Sequence, residues 1–327
     1  MRAIIPVAGF GTRLKPHTST HPKVLLHVGG KPIIAHIIER LLEEDVNEAT
    51  FVVGYLGERI EEYITKTYPN LNAEYVEQKE LLGLAHAIYQ AAPTFNNDEI
   101  LIILGDTVFD VDLSQISKLE TSSLGVKEVD DPRRFGVAEL EEGLITKLVE
   151  KPENPSTNLA LVGLYYIKNS GLLTESIEEL MQRDIKTKNE FQLTDALQLM
   201  IDKGEYISTF PVEGWYDCGK PETLLSTNKF ILSQNGLDIE IDSVVINQPV
   251  YISPTAEIKN SVIGPFVSIG DNCEVLDSII KNSIINKNSK VKRMLLTDSI
   301  IGADAKIKGS LHKMNVGDSI ELELVNE

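Results

Sequence analysis

Hydrophobic and polar residues alternate between two patterns in the first third of the chain. Short apolar runs, typical of buried strands, alternate with stretches in which apolar residues recur every three or four positions, the spacing of one helix face. The predicted strands are residues 4–7, 50–53, 74–77 and 100–104, and the predicted helices are residues 33–42, 57–63 and 84–92. This alternation predicts an α/β domain with a mixed, mostly parallel sheet covered on both faces. Ligands of such sheets bind at the carboxyl ends of the strands.

A different pattern begins after the turn signal Asn235-Gly236. A large aliphatic residue recurs every five or six positions, which fits neither a helix face nor simple strand alternation. These positions are Ile252, Ile258, Ile263, Ile269, Val275, Ile280, Ile285, Val291, Leu296, Ile301 and Ile307. We predict a left-handed β-helix of hexapeptide repeats, whose coils bury one stacked aliphatic row. An irregular β sandwich is the alternative. The predicted division is a first domain at 1–236, a linker at 237–248 and the β-helix at 249–327.

The composition indicates in which compartment the protein is expected and whether it binds a membrane. Of the 327 residues 42% are hydrophobic, which is enough to bury a large core. No apolar run reaches the roughly 18 residues of a membrane span, and the N-terminal run meets its glycines too early for a secretion signal. Two distant cysteines, Cys218 and Cys273, exclude a disulfide framework and a four-cysteine zinc site. We therefore expect a cytoplasmic protein without a membrane partner.

The charge is negative and uneven. The net charge is −18, from 31 Lys and Arg residues against 49 Asp and Glu residues. Residues 249–327 hold 9 of the basic and 10 of the acidic residues, which leaves −17 for residues 1–248. Such a surface argues against nucleic acid as a partner. An acidic domain can still bind a nucleotide where metal ions and a few placed cations offset the phosphate charge.

A glycine-rich segment, Gly9-Phe10-Gly11-Thr12-Arg13, follows the first predicted strand. It lacks the third glycine of the dinucleotide-binding fingerprint, because Leu14 stands there, and the chain has no Gly-Lys-Ser/Thr of a Walker A loop. Two readings remain. The segment is either a plain strand-to-loop turn or a glycine turn whose amides approach a phosphate, with Arg13 and Lys23 close behind.

Five ordered segments resemble sugar-phosphate nucleotidyltransferases, which join a nucleoside triphosphate to a sugar 1-phosphate and release pyrophosphate. They are Gly9-Phe10-Gly11-Thr12-Arg13-Leu14-Lys15-Pro16 with Pro22-Lys23; Gln78 with Gly83-Leu84-Ala85-His86-Ala87; Leu104-Gly105-Asp106; Glu150-Lys151-Pro152 with Val162-Gly163-Leu164-Tyr165; and Glu190-Phe191-Gln192-Leu193-Thr194-Asp195 with Trp215-Tyr216-Asp217-Cys218-Gly219. The resemblance covers most of residues 1–235 and implies a Rossmann-like nucleotidyltransferase domain. The C-terminal repeats are similar to those of the longer glucose-1-phosphate thymidylyltransferases.

The resemblance implies a nucleotide end of the site. Arg13, Lys23 and Asp106 would be catalytic, and Asp106 and Asp217 would bind Mg²⁺, which prefers carboxylate oxygens. The nucleotide-binding residues would be Ala8, Gly9, Gly11, Thr12, Arg13, Gln78 and Gly83. Gln78 would pair with a pyrimidine edge, since an amide both donates and accepts. Asp110 and Asp112 compete as metal ligands, but a solvated turn is the better interpretation of both.

The resemblance also implies a sugar-phosphate end. Lys151 would hold the phosphate, and Glu190 and Glu150 would accept hydrogen bonds from sugar hydroxyls. The full set is Gly136, Glu150, Lys151, Gly163, Tyr165 and Glu190. Because a sugar phosphate is already an anionic nucleophile, catalysis requires positioning and charge neutralisation rather than a strong base.

The leading hypothesis is Mg²⁺-dependent nucleotidyl transfer, with dTTP and glucose 1-phosphate as substrates, by a homo-oligomer that associates through the β-helix. UTP, or a mannose, amino-sugar or heptose phosphate, is the alternative. A non-catalytic regulatory subunit that binds sugar nucleotides is another, although such a chain is expected to lack one of Arg13, Lys23, Asp106 and Asp217. Acyl transfer with His312 as the base is a further alternative.

Overall fold

The computed structural model describes residues 1–234 and 240–310, apart from the side chain of Ser117. His312 lies outside the described residues. The chain divides into two compact units, Met1–Thr227 and Asn228–Glu327. In the described part of the chain, no helix is long and apolar enough to cross a membrane.

The first unit is built on a nine-stranded sheet. Numbered in chain order, its strands are β1 Arg2–Pro6, β2 Glu48–Val53, β3 Asn72–Glu77, β4 Ile100–Ile103, β5 Ser122–Glu128, β6 Gly136–Glu141, β7 Leu144–Glu150, β8 Leu159–Ile167 and β9 Ile207–Pro211. Their order across the sheet is β3-β2-β1-β4-β8-β5-β9-β7-β6. The strands predicted in the first third are therefore confirmed, and they form one edge of this sheet.

The sheet is mixed, but the prediction that it is mostly parallel was wrong. The pairs β2–β3, β1–β2, β1–β4 and β5–β9 are parallel. The pairs β4–β8, β5–β8, β7–β9, β6–β7 and β6–β8 are antiparallel. The reason lies in the connections beyond residue 122. Glu142 and Gly143 alone join β6 to β7, whereas parallel neighbours need a crossover of about a dozen residues.

Helices cover both faces of the sheet, as the alternation predicts. These are α1 Ile33–Glu43, α2 Gly57–Thr67, α3 Leu84–Ala91, α4 Ser170–Gln182 and α5 Leu193–Asp202, and a sixth helix, α6 Pro221–Gln234, follows them in the chain. One core packs Ile4 against α3, α4 and α5, and the other packs Ile5 against α1 and α2. Successive strand residues point to opposite faces, which is why β1 reads as a continuous apolar run.

The second unit contains three parallel four-stranded sheets of very short strands. The first contains Val244–Ile246, Ser261–Ile263, Ile279–Lys281 and Leu295–Thr297; the second contains Val250–Ile252, Val267–Ile269, Ile284–Ile285 and Ile300–Ile301; the third contains Glu257–Lys259, Glu274–Leu276, Lys290–Lys292 and Lys306–Lys308. Paired residues lie one coil apart, as in Ile263 with Ile280 and Val275 with Val291. This is a three-sided stack of coils rather than a sandwich.

The geometry of the coils explains the repeat spacing and corrects the expectation of a single buried aliphatic row. Successive aliphatic positions lie on successive sides of the coil, so the coils bury three aliphatic rows and not one. Ile252, Ile258 and Ile263, for example, belong to three different sheets and share one core. The stack also begins earlier than residue 249, because Val244–Ile246 in the expected linker pairs with Ser261–Ile263.

Candidate active site

A cleft of about 1240 Å³ opens at the carboxyl ends of β1 and β4. These strands are parallel neighbours, so the segments that follow them emerge side by side. The predicted site residues that line the cleft are Gly9, Arg13, Lys23, Asp106, Gly136, Glu150, Lys151, Gly163, Tyr165, Glu190 and Asp217. The structure therefore brings together residues that lie more than 200 positions apart.

The glycine-rich segment continues as an irregular loop that presents Arg13 and Lys23. Gly11 has a left-handed backbone (φ +62°), and a Cβ atom there would lie 3.0 Å from the side chains of Lys23 and Thr18. The Thr18 hydroxyl donates to the Gly11 carbonyl over 2.8 Å. Lys23 is buried, and its ammonium forms an ion pair with Asp106. A Cβ at Gly9 would meet no protein atom within 4 Å, so the fold alone does not require glycine there.

A small antiparallel pair of strands brings the two proposed metal ligands together. Thr107–Asp110 pairs with Gly214–Asp217, with Asp217 opposite Thr107. The Cys218 amide donates to the Asp106 carbonyl over 2.9 Å. Burial raises the pKa of Asp217, the charge of Asp106 raises it further, and Lys23 and Arg13 oppose both effects. Two carboxylates and two cations thus share one low-dielectric corner of the cleft.

Asp110 and Asp112 lie elsewhere, in agreement with their interpretation as solvated residues. Both are exposed, and neither lines the cleft. Asp112 caps the short helix Leu113–Lys118 by accepting from the Ser114 amide over 3.0 Å. Hydrogen bonds from Ser114 and Gln115 lower the pKa of Asp112.

The sugar-phosphate end of the cleft is held by hydrogen bonds around Glu150. The Thr194 hydroxyl donates to one Glu150 oxygen over 2.7 Å, and the Lys151 ammonium lies 2.9 Å from the other. Glu190 accepts from the Gln192 amide over 3.0 Å. Tyr165 is buried, and burial together with the Glu150 charge raises its pKa. This end therefore offers carboxylate acceptors beside a partly exposed ammonium.

Two predicted glycines of this end are required by packing. A Cβ at Gly163 (φ +85°) would lie 2.5 Å from Leu104, and one at Gly136 would lie 2.9 Å from the Thr194 hydroxyl. Both glycines line the cleft, so their small size serves the fold and leaves the backbone accessible there.

Gln78 and Gly83 form a separate, linked pair outside the residues that line the cleft. The Gln78 amide nitrogen donates to the Gly83 carbonyl over 3.1 Å and lies 3.0 Å from Nδ1 of His86. A Cβ at Gly83 (φ +122°) would lie 2.4 Å from the Phe191 carbonyl, so only glycine fits. Ala8, Gly11 and Thr12 likewise do not line the cleft.

The sequence interpretation missed several residues of the cleft. Arg133, Arg134 and Lys188 line it and were in none of the motifs, whereas Thr194 and Trp215 line it and were quoted in a motif without a role. Arg133 forms two hydrogen bonds with Asp131, of 2.7 and 2.8 Å. Two consecutive arginines after Asp131-Pro132, in a strongly acidic domain, were the available signal for this part of the site.

Gly219 was quoted in a motif but given no role. A Cβ there would lie 2.7 Å from an Asp217 oxygen and 2.9 Å from the Arg13 guanidinium. Its backbone amide also contributes a hydrogen bond that lowers the pKa of Asp217. Gly219 therefore allows the carboxylate and the guanidinium to approach each other.

Comparisons with known proteins agree with this site. A family model described as nucleotidyl transferase matches residues 2–234, and one described as GMPPB C-terminal domain matches residues 246–321. The chain is 31% identical to the low-salt glycan biosynthesis nucleotidyltransferase Agl11 of Haloferax volcanii, over 99% of this chain and 100% of that protein. It is 29% identical to a glucose-1-phosphate thymidylyltransferase of Streptomyces antibioticus, over 99% of each.

Two further relatives differ in their substrates or activities. The bifunctional protein GlmU of Methanocaldococcus jannaschii is 35% identical over 92% of this chain and 78% of that protein. A crystal structure of UDP-glucose pyrophosphorylase complexed with UDP-glucose superposes with a TM-score of 0.62 at 28% identity, covering 71% of this chain and 98% of that one. Because the nucleotidyl transferase model spans the cleft and every loop that forms it, this chain belongs to the sugar-phosphate nucleotidyltransferase family of enzymes.

Proposed function

We propose that this enzyme transfers a thymidylyl group from dTTP to glucose 1-phosphate, with Mg²⁺ as its cofactor. The observation that supports this proposal is the convergence, in one cleft, of a cationic and carboxylate corner around Arg13, Lys23, Asp106 and Asp217 with an acceptor-rich end around Glu150, Lys151 and Glu190. One end suits a triphosphate, and the other suits a phosphorylated sugar.

The chemistry assigned to the cleft is an in-line displacement. A sugar-phosphate oxygen forms a bond to the α-phosphorus, and the bond from that phosphorus to the bridging oxygen breaks, so pyrophosphate leaves with its electron pair. No proton needs to move when the nucleophile is ionised. Arg13 and Lys23 would neutralise charge on the transferring and leaving phosphates, since guanidinium and ammonium groups form strong hydrogen bonds with phosphate oxygens.

The carboxylate pair fits a divalent cation. Asp106 and Asp217 offer only oxygen donors, and no group of three or more His, Cys, Asp or Glu side chains among the described residues is arranged to hold a metal ion. Mg²⁺ commonly uses one or two carboxylates and takes its remaining ligands from water and substrate phosphates. When bound, the ion would supply positive charge to the α-phosphate and offset the repulsion from Asp106, which adds to the effect of burial in raising the pKa of Asp217.

Gln78 supports a pyrimidine base. The Gly83 carbonyl can only accept a hydrogen bond, so the Gln78 atom that faces it is the amide nitrogen. The Gln78 carbonyl oxygen would then accept from the imide N–H that thymine and uracil share, provided that the base reaches beyond the residues that line the cleft to this buried side chain. UTP is therefore the second candidate, favoured by the likeness to UDP-glucose pyrophosphorylase. A mannose, amino-sugar or heptose phosphate in place of glucose 1-phosphate keeps the same chemistry.

We further propose that the coils form a left-handed β-helix that associates with a second copy of the chain. Val245, Val262, Ile279 and Leu295 occupy one outward column in register. Three of them are 58%, 51% and 77% exposed, unlike the charged column Glu257, Glu274, Lys290 and Lys306 on another side. Residues 249–327 are almost neutral, whereas residues 1–248 carry a net charge of −17. Electrostatic repulsion between two copies is therefore expected to be weakest when they associate through the coils.

The substrate assignment predicts pyrophosphate release with Mg²⁺, fastest for dTTP with glucose 1-phosphate. The measurement is a grid of dTTP, UTP, CTP, ATP and GTP against the 1-phosphates of glucose, mannose, N-acetylglucosamine and a heptose. A different best pair would replace the substrates but keep the reaction. If the folded protein released no pyrophosphate with any of these substrate pairs, the result would contradict the proposed transfer and favour a regulatory subunit.

Asp106→Asn should lower kcat about 100-fold or more, because it removes a charge that holds the metal. The matched control is Asp110→Asn, which makes the same change four residues later on an exposed side chain that does not line the cleft. We expect its kcat to stay within about twofold of the unsubstituted enzyme. Equal losses in the two variants would contradict the assignment of Asp106.

Lys151→Ala should raise the KM for the sugar 1-phosphate about tenfold or more, because it removes the phosphate-binding charge and leaves Glu150 uncompensated. The KM for the triphosphate should change by less than about twofold. Lys147→Ala provides the control, since Lys147 lies on β7, which ends one residue before Lys151, and it is exposed and pairs with Glu139. A larger effect on triphosphate use than on sugar-phosphate use would place Lys151 at the other end of the site.

Leu295→Lys should convert the oligomer to a monomer of 36.3 kDa, because it places a charge in the aliphatic column. Sedimentation velocity of the full chain provides the readout. Tyr206→Lys is the control, since Tyr206 is 69% exposed in the first unit and receives the same charge. An unsubstituted chain that is already monomeric at micromolar concentration would refute the assembly proposal.

A further inference from the structure

The loop that carries Arg13 and Lys23 has little regular structure to fix it. Between Gly9 and Lys23 it contains only the short turns Thr12–Leu14 and His17–Ser19. Its internal bonds are local, such as that from the Thr18 hydroxyl to the Gly11 carbonyl. A catalytic guanidinium on such a loop needs support, because side chains act well only when their backbone is held in place.

The connection after β2 supplies contacts to this loop at four points. A Cβ at Gly54 would lie 2.9 Å from both the Cβ and the carbonyl oxygen of Ala8, so the two backbones touch where the loop begins. We name residues 54–59, which end in the first turn of α2, the loop clamp.

Two side chains of the loop clamp reach farther along the loop. The Tyr55 ring packs against Phe10, with ring centroids 5.2 Å apart. The Tyr55 hydroxyl donates to the Ser19 carbonyl over 3.0 Å, and the Arg59 guanidinium donates to the next carbonyl, that of Thr20. The contacts therefore bracket Arg13 on both sides.

Neither Tyr55 nor Arg59 lines the cleft. Both are exposed, so neither is needed to complete a hydrophobic core. Arg59 forms no ion pair with any carboxylate of the described residues, which leaves its guanidinium committed to the loop carbonyl. Both side chains are exposed and donate hydrogen bonds to two consecutive loop carbonyls. Such bonds hold the loop in position and contribute little to the free energy of unfolding.

We propose that Tyr55 and Arg59 are positioning residues, which hold the glycine-rich loop so that Arg13 and Lys23 meet the triphosphate. The inference rests on the proposed role of that loop in triphosphate binding. It assigns no contact with substrate to either residue. We expect its effect to be selective for the triphosphate, because the four contacts of the loop clamp all go to residues 8–20, whereas the proposed sugar-phosphate end is built from β6, β7, β8 and the segment before α5.

The test uses the full-length enzyme with its best substrate pair and Mg²⁺. Tyr55→Phe keeps the ring contact with Phe10 and removes the bond to Ser19, and Arg59→Ala removes the bond to Thr20. Each should raise the KM for the triphosphate about fivefold and leave the KM for the sugar 1-phosphate within about twofold. Arg59→Lys, which keeps the charge and a donor, should recover part of the loss. Tyr206→Phe is the matched control, because Tyr206 is exposed in the same unit.

Thermal unfolding of each variant separates positioning from stability. The melting temperatures of Tyr55→Phe and Arg59→Ala should stay within about 2 °C of the unsubstituted enzyme. An unchanged KM for the triphosphate in both variants overturns the proposal, whether kcat falls through a smaller folded fraction or stays the same. Turnover by the unsubstituted enzyme tests the proposed function separately, so the two failures are distinguishable.

Discussion

The balance of charge between Lys23, Arg13, Asp106 and Asp217 is the constraint on which the first unit depends. Asp106 and Asp217 are half-buried carboxylates that repel each other, and burial together with this repulsion raises the pKa of Asp217. The ion pair between Lys23 and Asp106 offsets part of this cost. If substrate phosphates bind these cations as proposed, the internal ion pair would be exchanged for contacts with substrate and metal.

Close backbone approach is the means by which the fold keeps these charges together. Gly54 lies against Ala8, Gly83 against Phe191, and Gly219 between Asp217 and Arg13. Each glycine stands where two segments from distant parts of the chain touch, and a Cβ at any of them would push these segments apart. These three glycines therefore act through packing, whereas Gly9 faces space that the fold leaves open.

The second unit follows a simpler physical rule. Each coil adds one aliphatic residue to each of three buried rows, and hydrogen bonds run between successive coils. The outward columns are free to differ, and one is aliphatic while another is charged. A stack of this type gives a near-neutral surface to a protein whose remaining residues are strongly acidic.

Sequence alone determined the parts of this protein that depend on local periodicity. The apolar spacings fixed the strands and helices of the first third, and the five-to-six-residue spacing fixed the coils, because each follows from the geometry of one element. The ordered motifs also pointed to most of the residues that line the cleft. Tertiary structure decided what depends on distant partners: the antiparallel half of the sheet, the meeting of Asp106 with Asp217, and the position of Arg133, Arg134 and Lys188 in the cleft. The pairing of two remote strands cannot be recognised from the hydrophobic period of either strand. The hydrogen bonds and packing between them form only after the chain has closed the loop that separates them.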